Sequence, residues 1–432
     1  MIRLVLAFVA VVVAVPAWAE INIKEVTSPG GIKAWLVEEP SIPFVAMELR
    51  FRGGTSLDAA GKRGATNLMV GLLEEGAGGL DAQGFARESE ALAAQFGYDS
   101  NADAVSISAR FLTENQDEAL DLLRLSLVDP TFPEVAVERV RSQVLSGLRS
   151  SLKDPDKIAG KRLSALTYGD HPYATSGEGT IESVSALTRD DLVAAHKGAL
   201  AKDRLFVGVV GDVTAEELGP MLDALLGDLP ETGAPLPGKA EVSFSGGADV
   251  VDFDTPQSVA LFAQPGIHRD DEDFFAAYVL NVVLGGGGFE SRLMNEVRKK
   301  RGLTYGVYSY LVLRDQADIY MGSVSSANNR IAESISVIRE EWAKMAENGA
   351  TEEEVEKAKA LLTGAYPLRF DGNGAIATIM VGMQMDGMPR DYIVNRNDYV
   401  NAVTVEDVNR VAKELLDPDA LTFVVVGKPE GV

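Results

Sequence analysis

The chain repeats part of itself at an offset of 216 residues. The segment ALTRDDLVAAHKGALAKDRLFVGVVG at 186–211 aligns without a gap to AVTVEDVNRVAKELLDPDALTFVVVG at 402–427. Both copies carry Thr followed three residues later by Asp, which is typical of a capped helix start, and both end in a short apolar strand that stops at Gly. Because the offset is half of the 432 residues, the repeat predicts two copies of one domain.

The order of the predicted elements is also the same in the two halves. Alternating apolar residues predict an early strand in the first half, at Val45, Met47, Leu49 and Phe51. A similar strand is predicted in the second half around Val259, Leu261 and Phe262. Further strands and a long helix follow, at 103–111 and 132–152 in the first half and at 303–324 and 328–347 in the second.

This pattern predicts the fold class. Strands and helices that do not alternate regularly as βαβ units favour an α+β fold, here with two homologous domains of mixed or antiparallel sheet flanked by helices. The expected boundaries are a signal peptide at 1–19, an N-terminal domain at 20–231, a linker at 232–247 and a C-terminal domain at 248–432. The linker is predicted from its Pro, Gly and other small residues.

The first nineteen residues, MIRLVLAFVAVVVAVPAWA, have the pattern of a secretory signal peptide. One positive charge precedes an apolar run, and the segment ends in Ala17-Trp18-Ala19. We therefore expect cleavage before Glu20 and an exported protein, with a bacterial periplasm as the expected compartment. A retained membrane anchor is the alternative, but no association with the membrane is expected after cleavage, because no second hydrophobic stretch of spanning length follows.

Two features of the composition exclude whole classes of function. The chain has 64 acidic and 40 basic residues and a formal net charge of −24, which argues against nucleic acid as a partner because phosphate binding needs basic patches. Cysteine is absent, so disulfides and thiolate metal sites are not possible.

Several motifs make the chain resemble the insulinase/pitrilysin-like family of zinc metallopeptidases, the inverzincins, whose signature is H-x-x-E-H. In the first half the resemblance depends on the segment 64–76, on YGDHPYATSGEGTIESVSALTRDDL and on VVGD. In the second half it depends on LNVVLGGGGFESRLMNEVRKKRGLTYGVYSY, EEEVEKAKALLTGAYPLRFD and VVVGK. It spans essentially the whole mature chain and implies two α+β domains per chain, with two chains paired in a closed clamshell.

The chain departs from the family where the family holds zinc. In H-x-x-E-H, two imidazoles on one helix face bind the metal and the glutamate is the general base. Here that frame holds Asn67, Val70 and Gly71, and the later segment that carries the family's glutamate ligand has Ser146 and Gly147. All four roles are therefore missing, and the resemblance predicts a non-catalytic chain that binds no zinc.

Other candidate sites are weaker. The only histidines, His171, His196 and His268, are far apart in sequence and lack ligand spacing, so we expect structural or surface roles for them. The four glycines at 285–288 follow a helical pattern and no G-K-[ST] comes after them, which does not favour a phosphate-binding loop.

The second half keeps a different pair of residues. Arg298 and Tyr305 have the spacing of an Arg/Tyr pair that, by resemblance, binds substrate across the cleft from zinc and stabilises the developing oxyanion. By the same resemblance, Gly286 and Gly287 border the cleft as substrate-binding residues. The alternative interpretation is that RKKR at 298–301 is only a charged helix end, stabilised by the helix dipole, and that Tyr305 is a residue of the core.

The resemblance therefore implies half of an active site. The chain resembles the Arg/Tyr-bearing partners in bacterial periplasmic heterodimers and the mitochondrial processing peptidase-like proteins. A homologous subunit with H-x-x-E-H would provide zinc, and peptides would be the substrates, bound as an added strand at a sheet edge. Two other hypotheses stay open: a structural or peptide-binding pseudoprotease with no catalytic partner, and a metallopeptidase with an unrecognised site.

Overall fold

The computed structural model of the chain describes residues 21–432. The predicted signal peptide at 1–19 lies outside the described residues. The strands in the described part of the chain are β1 (Lys24–Thr27), β2 (Lys33–Glu38), β3 (Phe44–Arg52), β4 (Gly76–Ala77), β5 (Leu80–Asp81), β6 (Gln95–Ser100), β7 (Ala104–Leu112), β8 (Leu205–Gly211), β9 (Ala248–Asp252), β10 (Gln257–Pro265), β11 (Val307–Leu313), β12 (Asp318–Ala327) and β13 (Thr422–Gly427).

Helices follow the strands of each half. They are α1 (Ala65–Val70), α2 (Ala82–Ala91), α3 (Gln116–Val128), α4 (Glu134–Ser151), α5 (Pro155–Tyr168), α6 (Ile181–Ala186), α7 (Arg189–Ala199), α8 (Ala215–Leu226), α9 (Phe274–Asn281), α10 (Ile331–Asn348), α11 (Glu352–Ala365), α12 (Asn373–Met385), α13 (Tyr392–Ala402) and α14 (Val405–Leu415). Between residues 21 and 432, no helix is both long enough and apolar enough to span a bilayer.

Two large sheets with the same strand order form the scaffold. The first has the order β1-β2-β8-β3-β7-β6, and the second, read from its other edge, has β9-β13-β10-β12-β11. Apart from the extra β1, each strand of one sheet has a counterpart in the other. One neighbouring pair is parallel in each sheet (β2 with β8, β9 with β13) and the other pairs are antiparallel. The predicted α+β class with two homologous domains is confirmed.

The repeated segments form the same helix–strand unit in both copies. Thr188 and Thr404 cap α7 and α14, and each is part of a reciprocal capping box with the Asp three residues later. The long helices α4 and α10 lie within three residues of the predicted bounds at both ends. These local signals depend on short-range hydrogen bonds and helical periodicity, which is why the sequence alone predicts them well.

One helix of each half crosses to the sheet of the other half. α5 packs on β10 and β13 of the second sheet, with Ala159 and Leu163 buried against Val424 and Val426. α12 packs on β3 and β8 of the first sheet. The two halves therefore share their hydrophobic packing, and residues 232–247 connect them without helix or strand.

Because α12 crosses to the first sheet, β3 is buried on both faces and not only on the face that its alternating apolar residues predict. The alternating residues Val45, Met47, Leu49 and Phe51 do face one core. Ala46 and Glu48, on the opposite face of the same strand, are buried too, because α12 covers that face. Burial raises the pKa of Glu48, although Arg50 lies 3.1 Å from its carboxylate.

Candidate functional site

The short helix α1 carries the frame in which the family has H-x-x-E-H. It begins after Gly64, whose φ of +92° favours glycine and which lies so close to the backbone oxygen of Glu178 that a Cβ would be 2.6 Å away. The buried carboxylate of Asp58 accepts hydrogen bonds from the Gly64 and Thr66 amides at 2.8 and 3.0 Å. Burial raises the pKa of Asp58, and these bonds oppose that effect. The start of α1 is thus fixed by a residue seven positions upstream.

The three residues of the frame occupy different environments. Asn67 is half-buried and lines a cavity between the two halves. Val70 is 4% exposed and belongs to the core of the first sheet. Gly71 is exposed at the end of α1, where a Cβ would contact Val140 of α4 at 3.4 Å. The position of the family's general base is therefore packed as core.

The other two positions of the degenerate motif lie on α4. Ser146 and Gly147 are both exposed, and a Cβ added to Gly147 would have no neighbour within 4 Å. Leu148 and Ser151 of the same helix line the cavity that contains Asn67. α1 and α4 are thus neighbours, so the fold brings these positions into one region.

The side chains in this region do not fit a zinc ion. An amide, an isopropyl group, a hydroxyl and two glycines offer none of the imidazole or carboxylate ligands that zinc prefers. Among residues 21–432, no group of three His, Asp or Glu side chains has the geometry of a metal site.

Two of the histidines have clear structural contacts. His196 is buried against Phe132, and its Nε2 lies 2.8 Å from the carbonyl of Leu127. Burial lowers the pKa of His196, which favours the neutral imidazole. His171 Nε2 lies 3.0 Å from the carbonyl of Gly238. These contacts agree with the structural roles expected from the sequence.

In the second half, the glycines at 285–288 begin inside a helix. Residues Val282–Gly286 form a π-helical turn that continues α9. Gly285 is buried so tightly that a Cβ would lie 2.3 Å from Ser309 Oγ of β11. Gly286 is exposed and Gly287 is half-buried. The segment therefore packs the end of α9 against the edge strand β11, and the chain continues from it toward Arg298.

Arg298 lies on a second π-helical segment, Met294–Lys300. Its guanidinium is 4.6 Å from the ring centre of Phe289, a residue that the sequence analysis did not select. Phe289 itself is largely exposed, which is unusual for a large apolar side chain. The sequence did contain a signal for Phe289, because it directly follows four glycines, and an aromatic side chain in such a loop is not expected to be buried.

The other cations of the RKKR sequence behave differently from Arg298. Each of them forms an ion pair: Lys299 with Glu290, and Lys300 and Arg301 with Glu296. Among the described residues, the Arg298 guanidinium has neither an ion pair nor a hydrogen-bond acceptor. If RKKR served only to stabilise a helix end, all four cations would be expected to have similar partners. Arg298 differs from the other three in having no carboxylate partner among the described residues.

Tyr305 is 86% exposed and lies two residues before β11. The prediction that Tyr305 lies on the strand was wrong, because the Thr304 hydroxyl donates to the Ser325 carbonyl and accepts from the Gly306 amide, and the strand begins only at Val307. The alternative that Tyr305 is a core residue is also wrong. In the single chain its phenol faces solvent rather than an internal cleft.

The fold does not bring the two sets of predicted residues together. Asn67 lines the cavity between the halves, whereas Arg298 and Tyr305 are not among the residues that line it. The short, hydrogen-bonded turn 301–304 joins Arg298 to Tyr305. The chain thus presents Arg298 and Tyr305 outside the cavity that contains Asn67, with Arg298 half-buried and Tyr305 exposed.

Comparisons with known proteins agree with these observations. Residues 33–181 match the family profile described as Insulinase (Peptidase family M16), and residues 186–362 match the profile described as Peptidase M16 inactive domain. The non-peptidase homolog YmxG of Helicobacter pylori is 28% identical over 390 residues, which is 90% of each chain. A protein of Streptomyces coelicolor named as an uncharacterized zinc protease is 25% identical over 409 residues, or 91% of this chain and 87% of its own.

Solved structures show the same architecture. A crystal structure from Pseudomonas fluorescens described as a peptidase M16 inactive domain superposes with a TM-score of 0.88 at 30% identity, over 95% of this chain and 98% of its own. A protease from Helicobacter pylori superposes with a TM-score of 0.84 at 19% identity, over 94% and 99%, and this second likeness concerns the fold alone.

Proposed function

Because the chain belongs to the insulinase family, peptidase family M16, and lacks the residues with which that family holds zinc, we propose that it is a non-catalytic, substrate-binding subunit of an exported zinc peptidase. Its partner is a homologous subunit that carries H-x-x-E-H. The non-peptidase homolog of Helicobacter pylori supports the non-catalytic part of this proposal. Export is supported by the signal-like residues 1–19.

The observation that carries the proposal is that the Arg298 guanidinium has no carboxylate partner among the described residues. In a chain with 24 more acidic than basic residues, an arginine next to Glu290 and Glu296 would be expected to pair with one of them. Those carboxylates pair with the three neighbouring cations instead. The guanidinium is held by stacking on Phe289, and its N–H donors stay available for a ligand.

Arg298 and Tyr305 offer donors that suit peptide hydrolysis in a shared site. A guanidinium and a phenol can both donate to the carbonyl oxygen of a peptide, and their bonds strengthen as negative charge develops on that oxygen. Zinc in the partner would supply the activated water. The exposure of Tyr305 in the single chain fits a residue that is covered only when the partner is bound.

The sheet edge beside this pair supports peptide binding. β11 is the edge strand of the second sheet, and Tyr308 and Tyr310 are exposed on it. An edge strand presents unpaired N–H and C=O groups to which an extended peptide can add. This observation also favours the second candidate function, a peptide-binding pseudoprotease with no catalytic partner.

The test is to isolate the chain with the H-x-x-E-H homologue from its native exported fraction, and to measure hydrolysis of an unstructured fluorogenic peptide by the complex. Arg298→Ala and Tyr305→Phe are each expected to lower turnover by roughly a hundredfold, with zinc content and assembly unchanged, since each removes a donor to the transition state.

Arg301→Ala is the matched control. It removes a cation from the same RKKR sequence, but one that Glu296 already pairs at 2.7 Å, so turnover is expected to stay near that of the wild type. Wild-type turnover in both Arg298→Ala and Tyr305→Phe would refute the shared-site role. Failure to find any H-x-x-E-H homologue with the chain would favour the pseudoprotease without a partner.

A further inference from the structure

The turn 301–304 joins Arg298 to Tyr305, the two donors of the proposed site. Gly302, with a φ of +60°, reverses the chain there, and its amide donates to the Arg298 carbonyl at 2.8 Å. The Leu303 amide also donates back into the helical segment that carries Arg298, at 3.0 Å. The conformation of this turn therefore determines where Tyr305 lies relative to Arg298.

Three successive carbonyls of the turn accept hydrogen bonds from side chains of one neighbouring segment. Arg330 donates from Nη2 to the Arg301 carbonyl and from Nη1 to the Gly302 carbonyl, each at 3.0 Å. The buried Ser326 hydroxyl donates to the Leu303 carbonyl at 2.6 Å. Carbonyls at the end of a helical segment lack partners inside it, so these side chains satisfy groups that would otherwise depend on water.

Arg330 makes these two bonds in preference to a close ion pair. The carboxylate with which it pairs, that of Glu333, is 3.9 Å away. A guanidinium carries its donors in a planar, fixed fork, which suits two successive carbonyls and holds them at a set distance. Its charge also lies at the carbonyl end of the segment Met294–Lys300, where the aligned peptide dipoles favour a cation. The side chain therefore fixes the turn through both geometry and charge.

The side of the turn next to Tyr305 is held by β12. The Thr304 hydroxyl donates to the Ser325 carbonyl at 2.6 Å and accepts from the Gly306 amide at 3.1 Å. Because Tyr305 is largely exposed, its position depends on the backbone on either side of it rather than on packing.

We propose that Arg330 is a positioning residue for the Arg298–Tyr305 pair. It touches neither the substrate nor zinc, and it holds the turn between the two donors in the geometry that peptide hydrolysis requires. This inference rests on the proposed function. A displacement of about 1 Å at a catalytic group can lower a rate by about a hundredfold, so a residue that fixes the distance between two donors affects turnover from outside the site.

The kinetic test uses the complex of the chain with its H-x-x-E-H homologue. Arg330→Ala is expected to lower kcat by roughly tenfold with KM unchanged, because only the alignment of transition-state donors is lost. Arg330→Lys keeps the charge and can donate to one carbonyl, so it is expected to recover most of that loss. In a chain that already carries Arg298→Ala, Arg330→Ala is expected to cost at most about threefold more, since one of the donors that it positions is gone.

Arg339→Ala is the matched control. Arg339 lies on α10, which begins directly after Arg330, and it also donates to two backbone carbonyls, those of Gly247 and Pro418 in other parts of the chain. Its replacement removes the same kind of contact without touching the turn 301–304, so kcat is expected to stay near that of the wild type.

A second measurement needs no partner. In the purified chain, amide hydrogen exchange of Gly302 and Leu303 is expected to be roughly tenfold or more faster in Arg330→Ala than in the wild type, and unchanged in Arg339→Ala. If Arg330→Ala does not fold, which thermal unfolding would reveal, Ser326→Ala takes its place. It removes the bond to the Leu303 carbonyl and is expected to accelerate the same two amides.

The two measurements separate this inference from the proposed function. Wild-type turnover in Arg298→Ala would refute the proposed function and this inference with it. A loss of turnover in Arg298→Ala together with wild-type turnover in Arg330→Ala would overturn only the positioning role. So would an equal loss from Arg330→Ala in the wild-type and Arg298→Ala backgrounds, or exchange of Gly302 and Leu303 that Arg330→Ala leaves unchanged.

Discussion

At the scale of single residues, the three positions on α1 that replace the zinc motif have three different structural roles. Val70 is core, Asn67 lines the cavity between the halves, and Gly71 ends α1 at the surface. The sequence predicts the loss of chemistry from residue types alone, because an isopropyl group cannot be a base. It does not predict which of these positions is buried, because burial depends on α4 and on the opposite half of the chain.

The burial of Val70 leads to a prediction about stability. Val70→Glu, which restores the residue type of the family, is expected to lower the free energy of unfolding by about 2 kcal/mol or more, since a carboxyl would enter an apolar core. Gly71→Glu places the same group one residue later at the surface and is the control. Chemical denaturation measures both, and equal losses for the two variants would show that Val70 is not a core position.

At the scale of secondary-structure elements, the exchange of α5 and α12 is what the sequence could not predict. The periodicity of each helix indicates an apolar face, but it does not say which of two similar sheets that face covers. The repeat, by contrast, predicts the strands and capped helices well, because capping boxes and alternating strands are local. The same limit applies to the site. Arg298 and Tyr305 follow from resemblance, whereas the stacking on Phe289 depends on how the loop before Arg298 folds, and the cavity beside α5 depends on long-range packing.

The packing of α12 on the first sheet depends on a glycine. Gly208 of β8 lies under α12, and a Cβ there would be 2.7 Å from the carbonyl oxygen of Ala377. Gly208→Ala is therefore expected to cost about 1–3 kcal/mol, since the backbone of α12 must shift. Gly160→Ala, on the open face of α5, is expected to stabilise the protein by roughly 0.5–1 kcal/mol. A neutral or stabilising Gly208→Ala in thermal or chemical unfolding would contradict this packing.

At the scale of the whole molecule, partly buried charges join the two halves. Arg52 of the first sheet lies 3.5 Å from Asp315 of the second half. Asp103 accepts a hydrogen bond from Tyr173, whose hydroxyl also accepts one from the Gln316 amide. Each half thus holds the other through polar contacts in addition to the exchanged helices.

The protonation of Asp103 gives this junction a pH dependence. Burial raises the pKa of Asp103, despite the hydrogen bond from Tyr173 and the charges of Arg314 and Arg52. The folded protein therefore holds this proton at pH values where the unfolded chain has released it, and the contribution of Asp103 to stability falls as the pH rises through the raised pKa.

Asp103→Asn keeps an acceptor for Tyr173 but removes this titration. Its free energy of unfolding, relative to the wild type, is expected to improve between about pH 4 and neutral pH. Denaturation at both pH values measures the difference, with Asp121→Asn, an exposed aspartate of α3, as the control. A relative stability that does not change with pH, or that worsens toward neutral pH, would contradict the assignment.

The most direct test of the central claim is the zinc content and peptidase activity of the purified chain without a homologous partner, after incubation with zinc and dialysis. A non-catalytic subunit is expected to retain far less than one zinc per chain and to show no chelator-sensitive cleavage of an unstructured peptide, since the positions of the motif offer no ligand and no base. About one tightly held zinc per chain, together with cleavage that a chelator abolishes, would contradict the account and would mean that the chain is a metallopeptidase with a different site.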